Sequence, residues 1–406
     1  MQKKKMKRLL ICLFAMAACS DGPARPEPPK DGGITLQKAI AAFNDANFDE
    51  AERLSRAAVA ADAKDAVALR LLGRLLALRN RTGEAAAAYA KAVNLSLDPR
   101  RGYTDGASIE ELAWVCYRMD EYAQAANWFG VLKDSILEKK YRTMSEGKSP
   151  YTCRWSDTAA TFRITMLQGL PTVEWSVNGQ VGTFGIDTGG GELALDPAFA
   201  RKTLTQVIGL RRDLRGASVE HAIVTMIDAG RLSIRHVPAV IANLQRKGGP
   251  ALDGMIGANF LAHFAATVDF AGGRLTLRPS GQAPAGRGKE AVMYFAGDRY
   301  VLVEASAVIV RDGKETPQRI LLQINTARPN SVFVPSESFV RTLAGATVKS
   351  VTVAGLDQPP GKLDSTLFPQ GLDFAFGFPI AGLAGPEFFR GRTVTLDFEA
   401  MKLRVD

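Results

Sequence analysis

Asp187-Thr188-Gly189 is the segment with the clearest chemical use. Hydrolysis of a peptide bond without a metal or a covalent nucleophile needs an activated water. It also needs an acid for the carbonyl oxygen or the leaving amine. Two carboxylates a few ångströms apart supply both, because like-charge repulsion makes them share one proton. Gly189 leaves room for close approach of chain and substrate, and the Thr188 hydroxyl can tie its loop to a neighbouring lobe. The matching segment in the second half is Asn325-Thr326-Ala327, where the threonine is kept and the carboxylate is not. An amide cannot ionise or hold the acidic proton, but it can hydrogen-bond to Asp187 or to a water.

Other chemistries have little support. His221, His236 and His263 are the only histidines, and none has the close spacing of a zinc hydrolase. Gly189-Gly190-Gly191 lacks the Lys-Ser/Thr ending of a phosphate loop. No Ser or Cys nucleophile motif is present. No metal, nucleotide or redox cofactor is implied, and no aromatic-basic interleaving suggests nucleic acid.

The elements that must position Asp187 are short strands with Gly-containing turns, which begin after Pro150. Residues 257–277 align with residues 385–405 at a constant offset of 128. Gly257 matches Gly385, Phe260 matches Phe388, and Asp269-Phe270 matches Asp397-Phe398. Each block reads as a helical turn followed by a two-stranded hairpin, and the ungapped register argues for duplication. Asp269 and Asp397 are expected in turns or at strand ends. Upstream, residues 173–195 and 321–334 are the partner segments, the first turning at Asn178-Gly179.

These residues resemble the retropepsin/pepsin superfamily of aspartic peptidases. Phe184-Gly185-Ile186-Asp187-Thr188-Gly189 resembles its catalytic loop. Met255-Ile256-Gly257 and Leu383-Ala384-Gly385 resemble the element that threads beside that loop in each lobe. The resemblance implies two lobes, at 155–282 and 288–406, with Asp187 as the catalytic residue and Thr188, Gly189, Asn325 and Thr326 in support. It implies a peptide or protein as substrate or ligand. Three readings follow. The lobes pair within the chain and form a pseudo-peptidase cleft. First lobes of two chains pair in a homodimer with an Asp187/Asp187 dyad. Or the hybrid site cleaves slowly, or with another nearby carboxylate. A flap is expected between Leu195 and Val240, with Gly209 and Gly216 as hinge or tip and Arg211 to Arg215 either favouring acidic substrates or simply solvated.

From Ile34 to about Leu137 the chain is rich in Ala, Leu and Glu, which favours helices. Gly73, Ala85, Tyr89 and Ala92 recur as Ala39, Ala51, Ser55 and Ala58, and again as Ala113, Ala125, Phe129 and Leu132. This pattern resembles the tetratricopeptide repeat, whose small residues let paired helices approach closely. The fold class is therefore multidomain: all-α tetratricopeptide-like repeats over 34–140, then a mostly β, two-lobed aspartic-peptidase-like fold. The repeats bind peptides on a concave face or serve as a spacer or dimerisation surface.

Composition fits this. The chain has 406 residues, 46% hydrophobic and 23% charged, which excludes wholesale disorder. Of the net charge of +9, five units come from Lys3, Lys4, Lys5, Lys7 and Arg8, which leaves +4 elsewhere. That basic stretch, the apolar run Leu9–Ala18 and the small residues before Cys19 read as a secretory signal over 1–18. The ending resembles a bacterial lipoprotein signal, with Met16 as a departure. The resemblance implies lipidation at Cys19, a flexible tether over 19–33, and a periplasmic protein anchored to the outer membrane. A soluble periplasmic or secreted form is the alternative. After export, Cys116 and Cys153 can form one bridge, or stand as two separately buried thiols.

Overall fold

The computed structural model describes residues 31–146, 151–212, 218–245, 249–297 and 299–406. The signal segment, Cys19 and the tether as far as residue 30 lie outside the described residues, whereas residues 31–33, expected in the flexible tether, open the first helix. Helices α1 (Asp31–Asn44), α2 (Phe48–Ala61), α3 (Ala66–Leu78), α4 (Thr82–Leu95), α5 (Gly106–Arg118), α6 (Tyr122–Val131) and α7 (Ser135–Ser145) come first. They pack as consecutive pairs, and a short ribbon of β1 (Leu97–Asp98) and β2 (Gly102–Tyr103) fills the longer α4–α5 connection. Asp65, Asp105 and Asp134 cap α3, α5 and α7 by accepting backbone N–H bonds. The periodic alanines are buried, and Gly73 lies under Tyr89, where a Cβ would come within 2.7 Å of the ring. Ser55 stands where the pattern asks for an aromatic. It is buried and donates its hydroxyl to the Ala51 carbonyl. The helical region is wider than its periodic part, starting at Asp31 and ending at Ser145.

The first lobe holds β3 (Thr152–Trp155), β4 (Ala160–Arg163), β5 (Thr165–Leu167), β6 (Leu170–Val177), β7 (Gln180–Asp187) and β8 (Leu193–Leu195). After α8 (Pro197–Lys202) come β9 (Gln206–Arg212), β10 (Ser218–Ala229), β11 (Leu232–Ile241) and β12 (Gly254–Gly257). A short helix α9 (Ala258–Leu261) leads to β13 (Phe264–Asp269) and β14 (Arg274–Pro279). The second lobe holds β15 (Lys289–Ala296), β16 (Tyr300–Arg311), β17 (Lys314–Ile324) and β18 (Phe333–Pro335). Then follow α10 (Glu337–Leu343), β19 (Thr347–Val353), β20 (Leu356–Gln358), β21 (Gly382–Ala384), β22 (Thr393–Asp397) and β23 (Lys402–Val405).

The lobes repeat one topology. In the first, β12 runs parallel to β7 and antiparallel to β8. In the second, β21 runs parallel to β17 and antiparallel to β18. The two hairpins at the 128-residue offset do not stay within their lobes. They join in one shared antiparallel sheet, β15-β23-β22-β13-β14-β4. At its centre Thr267 pairs with Thr395, which is 128 residues later, and their hydroxyl oxygens lie 3.1 Å apart. A pseudo-twofold axis passes between them. Asp269 and Asp397 both accept backbone N–H bonds in the turns that follow, as expected for turn residues.

The helical region packs on both lobes. Phe48 sits against Tyr294 and Phe378 of the second lobe, with ring centroids 4.7 and 4.9 Å apart. Arg74 donates to the Phe376 carbonyl, and Arg118 lies over the Phe295 ring. Toward the first lobe, α7 packs on β9 and β10, and Ile208 and Ile223 join the helical core. Arg74 of α3 and Arg118 of α5 are therefore occupied by the chain's own β domain. Among the described residues, no helix is long and apolar enough to cross a membrane.

Of the two alternatives for Cys116 and Cys153, the structure has the separate thiols, both free. Cys116 is buried in the helical core, whereas Cys153 sits on β3 against the sheet core. The two belong to separately packed layers. Burial pushes each thiol up to about 11.

Phe48→Ala empties the centre of the aromatic seam between helices and second lobe. It should cost about 3–5 kcal/mol in chemical denaturation, still with one cooperative transition. A helical region that melts separately, with the β domain unaffected, would contradict this packing.

Candidate functional site

β6 and β7 form a hairpin across Asn178 and Gly179, both at positive φ, as the tight two-residue turn requires. Phe184 and Ile186 point into the first-lobe core, and this delivers Asp187 to the strand end. β12 lies alongside, with Gly257 level with Asp187. A Cβ at Gly257 would lie 2.0 Å from the Gly191 carbonyl oxygen, so the loop and the threading strand fit only with glycine there. The backbone N–H groups of Ala258 and Asn259 donate to Gly190 and Gly191. Gly385 meets the Ser331 carbonyl in the same way in the second lobe.

The two loops meet at two threonines. Thr188 N–H donates to Thr326 Oγ1 at 3.1 Å, and Thr326 N–H donates to Thr188 Oγ1 at 3.1 Å. The Thr188 hydroxyl donates to the Ile324 carbonyl at 2.8 Å, and the Thr326 hydroxyl donates to the Ile186 carbonyl at 2.6 Å. Both threonines are buried. This reciprocal set places Asp187 and Asn325 in equivalent seats. Asp187 Oδ1 accepts from the Gly189 N–H at 2.9 Å, and Asn325 Oδ1 accepts from the Ala327 N–H at 3.1 Å. A side chain at Gly189 would collide with the Asn325 amide. The place beside the first-lobe loop is thus filled by the same chain's second lobe. An Asp187/Asp187 pair across two chains would require that lobe to leave.

A cavity of about 610 Å³ opens at Asp187. Its wall follows the strand register away from the carboxylate: Met255 beside Ala194, Ala194 beside Val240, Val240 beside His221. The expected flap is the β9–β10 hairpin, whose tip, including Gly216, lies outside the described residues. It is not a free hairpin. Arg211 pairs with Asp134 of α7 at 2.7 Å, Lys139 donates to the Ile208 carbonyl, and Ile136 fills the space over Gly209. Arg211 is therefore committed to an intramolecular carboxylate.

Several residues at the site carry no sequence motif. Lys140 of α7 is fully buried and donates to Glu192 at 2.5 Å and to the Ala239 carbonyl at 2.9 Å, with His221 Nδ1 at 3.3 Å. Glu192 and His221 line the cavity with Asp187. Burial, reinforced by the Glu192 charge, raises the phenols of Tyr117 and Tyr151 well above their ordinary range. Gln323 is 1% exposed, its amide nitrogen lies close to Gly189, and neither amide atom has a hydrogen-bond partner among the described residues. The only sequence signal for Glu192 was its place directly after the glycine triplet. Gln323 had its place two residues before Asn325 on one strand face.

Two substitutions test these interactions. Thr188→Val keeps the shape but leaves the Thr326 N–H and the Ile324 carbonyl unpaired. It should lose at least about 1–3 kcal/mol in urea denaturation, with Thr188→Ser near the unaltered chain. Lys140→Met strands Glu192 in a buried site and should cost about 3–5 kcal/mol, most of it recovered by adding Glu192→Gln.

Two solved structures are similar in part to this chain. The aspartic proteinase from Irpex lacteus matches at 10% identity and a TM-score of 0.41, over 61% of this chain and 96% of that one. A retropepsin-like aspartic protease from Rickettsia conorii matches at 16% identity and a TM-score of 0.24, over 32% of this chain and 97% of that one. No protein-family profile matches the chain, and no curated protein does.

Proposed function

We propose that this chain is a pseudo-peptidase of aspartic-peptidase type, which binds peptide segments in the cavity at Asp187 without ordinary turnover. The observation that carries this reading is the amide of Asn325 in the seat equivalent to that of Asp187. One carboxylate can hold a water or a peptide N–H. It cannot also supply the acidic proton that the leaving amine needs, and Asn325 has none to give. The intact Asp187-Thr188-Gly189 loop and its threonine partner argue for a retained binding role. Tetratricopeptide-like repeats in this reading brace the cleft, and a lipoprotein-type signal would hold the protein at the outer membrane, facing the periplasm.

The test is incubation of the mature protein with a diverse peptide library from pH 3 to 8, with cuts read by mass spectrometry. The unaltered chain should give no cuts that depend on Asp187. Asn325→Asp supplies a second carboxylate in the seat equivalent to that of Asp187 and should bring cleavage about 10²-fold or more above the background of the unaltered chain, an increase abolished by Asp187→Asn. Cleavage by the unaltered chain that Asp187→Asn removes would overturn the reading. The chain would then be an aspartic-type endopeptidase with a hybrid site.

A further inference from the structure

We infer that the helical region builds one wall of the binding cleft, and that Trp114 of α5 selects peptides carrying a large apolar side chain. The inference rests on the peptide-binding reading above and names the side chain that the site accepts.

Trp114 lines the same cavity as Asp187 although it belongs to the helical region. It is half-buried, and its ring is held edge-on by Tyr117 at 5.7 Å and Phe129 at 5.1 Å. Rigid aromatic surface of this kind contributes binding energy at low entropic cost. Across the cavity Val219 and His221 share one face of β10, and His221 pairs in register with Val240. Met255, Leu244 and Leu252 continue the apolar lining toward Asp187. Two of the charged groups lining the cavity have intramolecular partners: Arg211 is bound to Asp134, and Glu192 to Lys140. The surface left for a ligand side chain is mainly apolar.

The placement of Trp114 is not incidental. Ile208 and Ile223 of the flap hairpin are packed into the same helical core as Tyr117 and Phe129. The Arg211–Asp134 pair and the Lys139 bond to Ile208 hold α7 on that hairpin. Trp114 and the hairpin are thus parts of one packed body, and the cleft is complete only when the helices are docked.

The probe is a blocked octapeptide recovered from a random library by the unaltered full chain, then remade with Ala, Leu or Phe at each position. Affinity is read by calorimetry. One position should prefer Phe and Leu over Ala. Trp114→Ala should weaken the Phe peptide at that position by about tenfold and leave the Ala peptide within about twofold. Trp114→Leu, which keeps the helical core filled, should narrow the Phe-over-Ala ratio while retaining the unaltered thermal midpoint. An unchanged ratio in Trp114→Leu, with peptide still bound, overturns the inference alone. Failure of the unaltered chain to recover any peptide overturns the peptide-binding reading itself.

Discussion

Thr188 and Thr326 satisfy each other's backbone N–H groups, and their hydroxyls satisfy the carbonyls one strand deeper in the opposite lobe. These groups are buried, so none of them could be left without a partner at small cost. Everything around the site follows from keeping the four bonds together. The loops must be narrow, which Gly189 and Ala327 allow. The threading strands must come close, which Gly257 and Gly385 allow. The shared sheet repeats the same pseudo-twofold relation farther away, at Thr267 and Thr395. Lobe spacing is therefore set twice, once by hydrogen bonds between loops and once by a continuous strand ladder.

The helices add a third restraint. They press aromatic side chains into the second lobe and anchor the β9–β10 hairpin of the first. A helical array with its inner face exposed would have a groove for outside partners. Here Arg74 of α3 and Arg118 of α5 are turned to Phe376 and Phe295 of the same chain. The buried Lys140 is the sharpest expression of this arrangement. A lysine so deep in the protein needs a carboxylate and further acceptors, and it finds them in Glu192 and the Ala239 carbonyl of the first lobe. The end of the helical region thereby fixes the segment that follows the Asp187 loop.

Much of this is legible in the residues alone. The Asp187-Thr188-Gly189 loop, the threading glycines and the 128-residue offset of the hairpins were visible because each depends on local chain geometry. Small residues at helical spacing were visible for the same reason, and Gly73 under Tyr89 gives the cause. Asn325 could be matched to Asp187 because Ile-polar-Thr precedes a threading glycine in both halves. Trp114, Lys140, Glu192 and His221 were illegible as site residues. Each looks like an ordinary helix or strand residue; Lys140, Glu192 and His221 gain meaning from partners 50 or more residues away, and Trp114 from the cavity it shares with Asp187.

By itself the sequence determined which groups were on offer: one carboxylate, two threonines, an amide in the second seat, and the periods that make helices or strands. Those properties are carried by residue type and near-neighbour spacing, and tertiary contacts do not alter them. Only the tertiary structure decided who faces whom. It paired the two halves of one chain at Thr188 and Thr326, separated the two cysteines into different layers, and brought the helical region to the cleft. Such choices depend on packing between surfaces that are distant in the chain. Spacing along a sequence carries no measure of that distance.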